Sequence, residues 1–240
     1  MPTTDGSLTT EHRQRLLDVG VDPDVLAGLR LRTSTDGLSD TWTERGNALY
    51  LADGFRLPDV VAAKLDAYDP YDALVVVCTG LTEDFLLLVA EERATLFLGP
   101  DTFLPMGSVY VGRDSVVVLN GGVSGTRAVE IDARNGGSVV VDQDQLWAHN
   151  VYIATDDMHR LEDLATGVRL NPYGAHIKLG RHVWLGRDAV LTGHVDIGDG
   201  CVVGLGSFVR GQKIPPNTAV AGSPARVVRE GVRWTLEDTP

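Results

Sequence analysis

The stretch Ile177–Val228, IKLGRHVWLGRDAVLTGHVDIGDGCVVGLGSFVRGQKIPPNTAVAGSPARVV, repeats every six residues. Stepping by six from Leu179 meets Leu185, Leu191, Ile197, Val203, Val209, Pro215, Ala221 and Val227, and only Pro215 breaks the aliphatic run. Two residues before each of the first six stand Ile177, Val183, Ala189, Val195, Cys201 and Ser207, all apolar or small. Both sets alternate with mostly polar positions, so each hexad reads as a short strand with two side chains on one face. Gly180, Gly186, Gly198 and Gly204 follow the aliphatic residue, where a tight corner with positive φ is expected.

A six-residue period is the signature of a parallel β-helix, in which a unit buries its face only by stacking on its neighbours. Three hexads close one triangular coil, so residues eighteen apart lie above one another at about 4.8 Å. That register sets Lys178 against Asp196, Trp184 against Val202 and Val190 against Phe208. One outward face is therefore charged and two are apolar, and exposed apolar patches mark partner surfaces. A homotrimer is expected, because closed threefold symmetry lets each chain offer two different surfaces.

These hexads resemble the hexapeptide-repeat acyltransferases, whose fold is a left-handed parallel β-helix. The handedness is implied by the resemblance and is an exception to the right-handed crossover rule. The closing run IPPNTAVAGSPARVV is similar to that family's loop and last strand. Upstream, AVEIDARNGGSVVVDQDQLWAHNVYIATDDMH resembles the approach to the active site in bacterial polysaccharide and sialic-acid O-acetyltransferases. The expected fold is mainly β: a cap of mixed helix and strand over 1–95, a β-helix over 96–228 with an active-site loop at 154–176, and a tail over 229–240 that frays.

At 240 residues the chain is long enough for a substantial core. Its 21 Lys and Arg against 33 Asp and Glu, a net charge of −12, argue against nucleic-acid or anionic-membrane binding. Cys78 and Cys201 lie in apolar strand-like runs and form no disulfide framework, which fits a reducing compartment. The opening MPTTDGSLTTEHRQ has neither the basic start nor the apolar run of a signal peptide. No apolar run approaches the length of a membrane span, and a cytoplasmic protein is expected.

Residues 1–10 read as loose, and Glu11–Leu31 as one or two helices interrupted at Gly20 and Pro23. Residues 32–48 read as loop, and Pro58–Tyr68 as a helix with Val60, Val61 and Leu65 on one face. Leu74–Cys78 and Phe85–Ala90 have strand length and composition. Between Leu96 and Ile153, hexad-like cores recur at Leu98, Val111, Ile131, Val141 and Ile153 with extra residues between them.

The hexad rhythm is broken between Ile153 and Ile177 by ATDDMHRLEDLATGVRLNPYGAH, and solenoids place such insertions on a binding face. Asp157, His159, Asp163, Thr166, Gly167, Arg169, Asn171 and Pro172 match the family pattern residue by residue. The resemblance implies that His159 is the catalytic base, with Asp157 or Asp163 to fix its tautomer, and that Asp156, Arg169 and Asn171 meet the acceptor. Asp156 stands where relatives commonly carry serine, a departure that adds charge beside the site. Histidine suits the chemistry: moving an acetyl group from a thioester to a hydroxyl needs a proton acceptor, and an imidazole titrating near ~6.5 is mostly neutral at cellular pH.

The implied donor is acetyl-CoA. In the family its pantetheine arm meets a GAGS-like turn, here Gly204-Leu205-Gly206-Ser207, and lies near the tryptophan of the motif that reads VWLG, Trp184. Trp184 is equally placed for trimer packing. Leu205 replaces the family's alanine, and Lys213, Arg226 and Arg229 are the cations available for CoA phosphates. No metal is expected, although His176 and His194 stack eighteen apart, with His182 at the equivalent corner of the next face. A related γ-class carbonic anhydrase would use such a pair. The sequence points first to an acetyl-CoA-dependent O-acetyltransferase acting on a saccharide or other hydroxyl-bearing small molecule. N-acetylation of an amino sugar, a metal-dependent hydratase and a non-catalytic scaffold remain open.

Overall fold

The computed structural model describes residues 7–237. Three parallel faces wind around one core. The first face stacks Ala48–Ala52, Leu74–Val77, Thr95–Leu98, Val116–Leu119, Ser138–Val141, His176–Leu179, Val195–Ile197 and Lys213–Ile214, with Leu31–Thr33 antiparallel at its lower edge. The second runs through Val123–Gly125, Gln145–Trp147, Val183–Leu185, Val202–Val203 and Thr218–Gly222, and ends on the antiparallel strand Ala225–Glu230. The third runs through Phe85–Val89, Met106–Val111, Ala128–Ala133, Val151–Ala154, Val190–Thr192 and Phe208–Arg210. The chain visits the faces in that order, and the expected stacks Lys178 on Asp196, Trp184 on Val202 and Val190 on Phe208 are all formed.

Inward side chains form columns of like residues. On the first face Leu51, Val77, Leu98, Leu119, Val141, Leu179, Ile197 and Ile214 follow one another up the axis, and all are buried. Each coil covers the apolar edge of the one below, so the core exists only as a stack.

The repeat slips near its end. Lys213 and Ile214 stack on Asp196 and Ile197, one residue short of the expected register. Ile214 and Val220 therefore point inward in place of Pro215 and Ala221. Val227 lies on the antiparallel return strand and is 51% exposed. The corner glycines serve a different purpose from the one expected. Gly180, Gly186, Gly198 and Gly204 have no positive φ, which falls instead on His182, Asp188, Gly200 and Gly206. At Gly186 a Cβ would sit 2.7 Å from the Leu205 nitrogen, so glycine is needed there because the next coil's backbone passes too close.

The coil reaches below residue 96: Leu74–Val77 and Phe85–Val89 already pair in parallel with the strands above them. Their continuous apolar runs resemble any buried strand, and without hexad spacing they do not reveal their place in the stack. Helix Asp59–Ala67 turns Val61, Ala62 and Leu65 into the bottom of the core. Val60, adjacent to Val61 and so about a quarter-turn away, is 43% exposed. A short helix, Asp40–Glu44, stands in the segment expected to be loop.

Helices Thr10–Asp18 and Pro23–Gly28 flank the expected break, the first capped by Thr9 and the second by Asp22 with Pro23 opening it. Leu16, Val21 and Leu26 cover the outward column Tyr50, Val76, Phe97 and Val118. The first face is thus sheathed below and carries Lys178, Asp196 and Lys213 above. The expectation of loose residues at 1–6 lies outside the described residues, as does fraying at 238–240. Trp234 is buried, stacked on His182 at 3.8 Å between ring centroids, and its indole Nε1 donates to the His182 carbonyl. Among the described residues no helix is long and apolar enough to cross a membrane.

Candidate active site

The loop leaves the third face after Ala154 and rejoins the first at His176, so it stands at one corner of the prism. Its foot is polar and closed. The Asp156 carboxylate is wholly buried. It accepts from the Met158 backbone N–H at 2.6 Å, from Asn135 Nδ2 at 3.0 Å and from the Gly174 N–H at 3.4 Å, with Arg169 at 3.8 Å. Asn171 is buried as well: its Nδ2 donates to the His159 carbonyl at 2.6 Å and its Oδ1 accepts from the Leu161 N–H at 2.8 Å. Arg169 donates to the carbonyls of Asn171 and Pro172, and its guanidinium lies over the Tyr173 ring. The three residues expected to meet the acceptor are therefore engaged in building the loop.

His159 is exposed at the end of this scaffold, and its imidazole makes no hydrogen bond to any of the described residues. Neither candidate orienting carboxylate reaches it. Asp157 pairs with Arg210 at 3.1 Å. Asp163 closes a local turn, accepting from the Thr166 hydroxyl and from the backbone N–H groups of Thr166 and Ala165, bonds that hold its carboxyl below the usual range. Sequence reasoning missed Arg210 and Asn135. Arg210 stacks on Thr192 on the outward side of the third face, a position that the eighteen-residue register predicts.

The expected donor residues sit elsewhere. Gly204-Leu205-Gly206-Ser207 forms the corner between the second and third faces, and Leu205 is 72% exposed. Ser207 is buried, and its hydroxyl accepts from the Gly222 N–H. A Cβ on Gly204 would touch Ala221, the residue paired with Arg226. Arg226 on the return strand thus stands beside this corner, Arg229 lies further along that strand opposite Ala219, and Lys213 is on the first face, in an ion pair with Asp196 at 3.1 Å. Trp184 is 38% exposed on the second face. Phe208–Arg210 links the two regions, since Ser207 immediately precedes that strand and Arg210 closes it against Asp157.

The His176 and His194 rings lie 5.5 Å apart between centroids, tilted at 50° rather than stacked. His176 Nδ1 shares a hydrogen bond with Ser138, and His194 Nδ1 accepts from the His176 backbone N–H. His182 is bound to Asp144 and to the Trp234 carbonyl. Among the described residues no group of three His, Cys, Asp or Glu side chains is placed to hold a metal ion.

No family model matches the sequence. The galactoside O-acetyltransferase of Escherichia coli K12 is 47% identical over 148 residues, covering 60% of this chain and 66% of that protein. The putative lipopolysaccharide biosynthesis O-acetyl transferase WbbJ of the same organism is 35% identical over 101 residues, 39% of this chain and 50% of its own length. The chain thus spans 66% and 50% of these relatives. Among solved structures, the polySia-specific acetyltransferase NeuO is similar with a TM-score of 0.61 at 20% identity, over 72% of this chain and 78% of that one, a likeness of fold. With a parallel solenoid of about 7 turns wound as the left-handed β-helix and a repeat shared with these relatives, the chain belongs to the hexapeptide-repeat acyltransferase family.

Proposed function

We propose that the protein is an acetyl-CoA-dependent O-acetyltransferase acting on a hydroxyl of a saccharide or sugar-like acceptor, with His159 as general base. The observation that carries this reading is the loop at the coil corner, which spends its buried polar groups on its own backbone and leaves one imidazole exposed and unbonded at its end. The names of the two curated relatives, both O-acetyl transferases, support the reaction class. The acceptor oxygen attacks the thioester carbonyl directly as its proton passes to His159; the C–S bond then breaks and the thiolate leaves, taking up a proton. No acyl-enzyme forms, because the loop contains no Cys or Ser. Asp157 supports the imidazolium through space, and Asp163 acts by shaping the loop.

Acetyl-CoA fits the Gly204–Ser207 corner, where Gly206 has open space around it and Arg226 stands nearby for phosphates, with Arg229 further along the same strand. Lys213, committed to Asp196, is the least suited of the three expected cations. We take the assembly to be a homotrimer in the cytoplasm. The first face is covered below by the chain's own helices and charged above, while the second face and its return strand expose Trp184, Val227 and Val228 and the third turns the half-buried Val190 and Phe208 outward. Both cysteines are free and buried, in keeping with a reducing compartment.

The test is His159→Ala, assayed by thiol release from acetyl-CoA with a panel of saccharides and amino sugars. A general base contributes about 10²–10⁴ in rate, so kcat is expected to fall by that order while acetyl-CoA affinity holds. Near-wild-type turnover would defeat the mechanism.

A further inference from the structure

His159 is presented on an unusual turn. Its backbone N–H donates to the Asp157 carbonyl at 2.8 Å, two residues back, and the intervening Met158 has φ +62°. That pairing is a γ-turn of the rare, strained hand. A side-chain-bearing residue stays in such a conformation only where its surroundings over-determine it. Here they do so from both sides: Asp156 fastens the Met158 N–H, and Asn171 fastens the His159 carbonyl and the Leu161 N–H with its two amide atoms. The imidazole itself has no hydrogen bond to any of the described residues, so the chain positions it through the backbone of 158–161.

We propose that Asn171 is the positioning residue for His159, a clamp that holds the strained turn rather than a group that meets the acceptor. The proposal rests on His159 being the base. Both functional atoms of the Asn171 amide are spent at short range, and its own carbonyl is held at 3.0 Å by Arg169 Nε, so the clamp is itself anchored. The geometry needs a donor and an acceptor on one planar group of this length. Aspartate keeps the acceptor for Leu161 and loses the donor for His159; alanine loses both; glutamine is one methylene too long. A misplacement of about 1 Å at a catalytic group costs on the order of 10² in rate.

The test is a cycle of Asn171→Asp and His159→Ala, singly and together, with Asn171→Ala as a second variant and a thermal melt to confirm folding. Asn171→Asp is expected to lower kcat by about 10- to 100-fold with the KM for acetyl-CoA unchanged. It should cost nothing further in the His159→Ala background, because a group that acts through the base has nothing left to position. Two readouts need no acceptor: the His159 ring resonances should shift or broaden in Asn171→Asp, and the Leu161 amide should exchange faster in Asn171→Ala. An Asn171 effect that multiplies onto His159→Ala overturns the proposal. So do ring resonances and Leu161 exchange that both stay as in the wild type. Full turnover by His159→Ala would sink the base and leave these two readouts to judge the clamp.

Discussion

Asp156→Ala removes the acceptor at the foot of the loop, and its cost can be worked from the bonds it breaks. The carboxylate has no solvent exposure and receives two short hydrogen bonds, from the Met158 N–H at 2.6 Å and Asn135 Nδ2 at 3.0 Å, with a longer one from the Gly174 N–H. Hydrogen bonds to a charged group contribute about 1.5–3 kcal/mol each, so the two short ones bring roughly 3–6 kcal/mol. Removing the charge also relieves its own burial cost, and Arg169, 23% exposed at its side chain, regains water. The net is a loss of about 2–4 kcal/mol, confined to the loop because the inward columns on either side are untouched. Native-state amide exchange reads that quantity directly: Met158 and Gly174 should exchange about 30- to 1,000-fold faster at about 1.4 kcal/mol per decade. Amides of Ile177 and Leu191 should hold their rates. Asp156→Asn, equal in shape but uncharged, should fall between. Unchanged exchange at Met158 would refute the accounting, and a cooperative loss across the whole coil would refute the claim that the loop opens by itself.

Light scattering at micromolar concentration should return three chains per particle, and Trp184→Glu with Phe208→Glu should reduce it to one; a wild-type monomer ends the trimer proposal. Burial pushes the Cys78 thiol up to about 12. The unfolded chain therefore gives up this proton first, and stability should decline as pH rises above the ordinary thiol range near ~8.5. A thiol reagent at pH 8 should label Cys78 only after unfolding, and rapid labelling of the native protein would contradict its burial. Asp163 has the opposite sign. Its carboxyl is lowered first by the Thr166 hydroxyl and then by the Thr166 and Ala165 N–H groups, so its contribution is whole above the unfolded carboxyl range near ~3.9 and is lost as pH falls through the lowered value. Faster exchange at Thr166 in acid should appear in the wild type and be absent as a pH effect in Asp163→Ala; identical pH profiles would refute it.

The period of six was enough to place every inward residue from Ile177 to Val209, because side chains two apart on a strand share a face and each hexad repeats that pair on the next face. It was also enough to single out 154–176 as an interruption, whereas the choice of His159 within it came from the resemblance of the loop motif. Where the repeat loses a residue, before Ile214, the step of six continued in register on paper while the coil had already shortened. The lower coils carry no hexad spacing, and their strands join the stack through pairings such as Leu74 with Thr95, visible only in three dimensions.

The site divides in the same way. Residue types and spacing along the loop are local facts and were legible in the chain. What Asp156 and Asn171 do is not, because a carboxylate or an amide reads alike whether it faces an acceptor sugar or its own backbone. Asp156 meets Asn135, 21 residues earlier, and Asn171 meets His159, 12 residues earlier, across a turn at Met158 that no propensity favours. The hexad spacing sufficed for the stack and for the place where a loop interrupts it; which buried polar groups hold His159 within that loop is settled only in three dimensions, because hydrogen bonds of 2.6–3.0 Å depend on how distant segments meet.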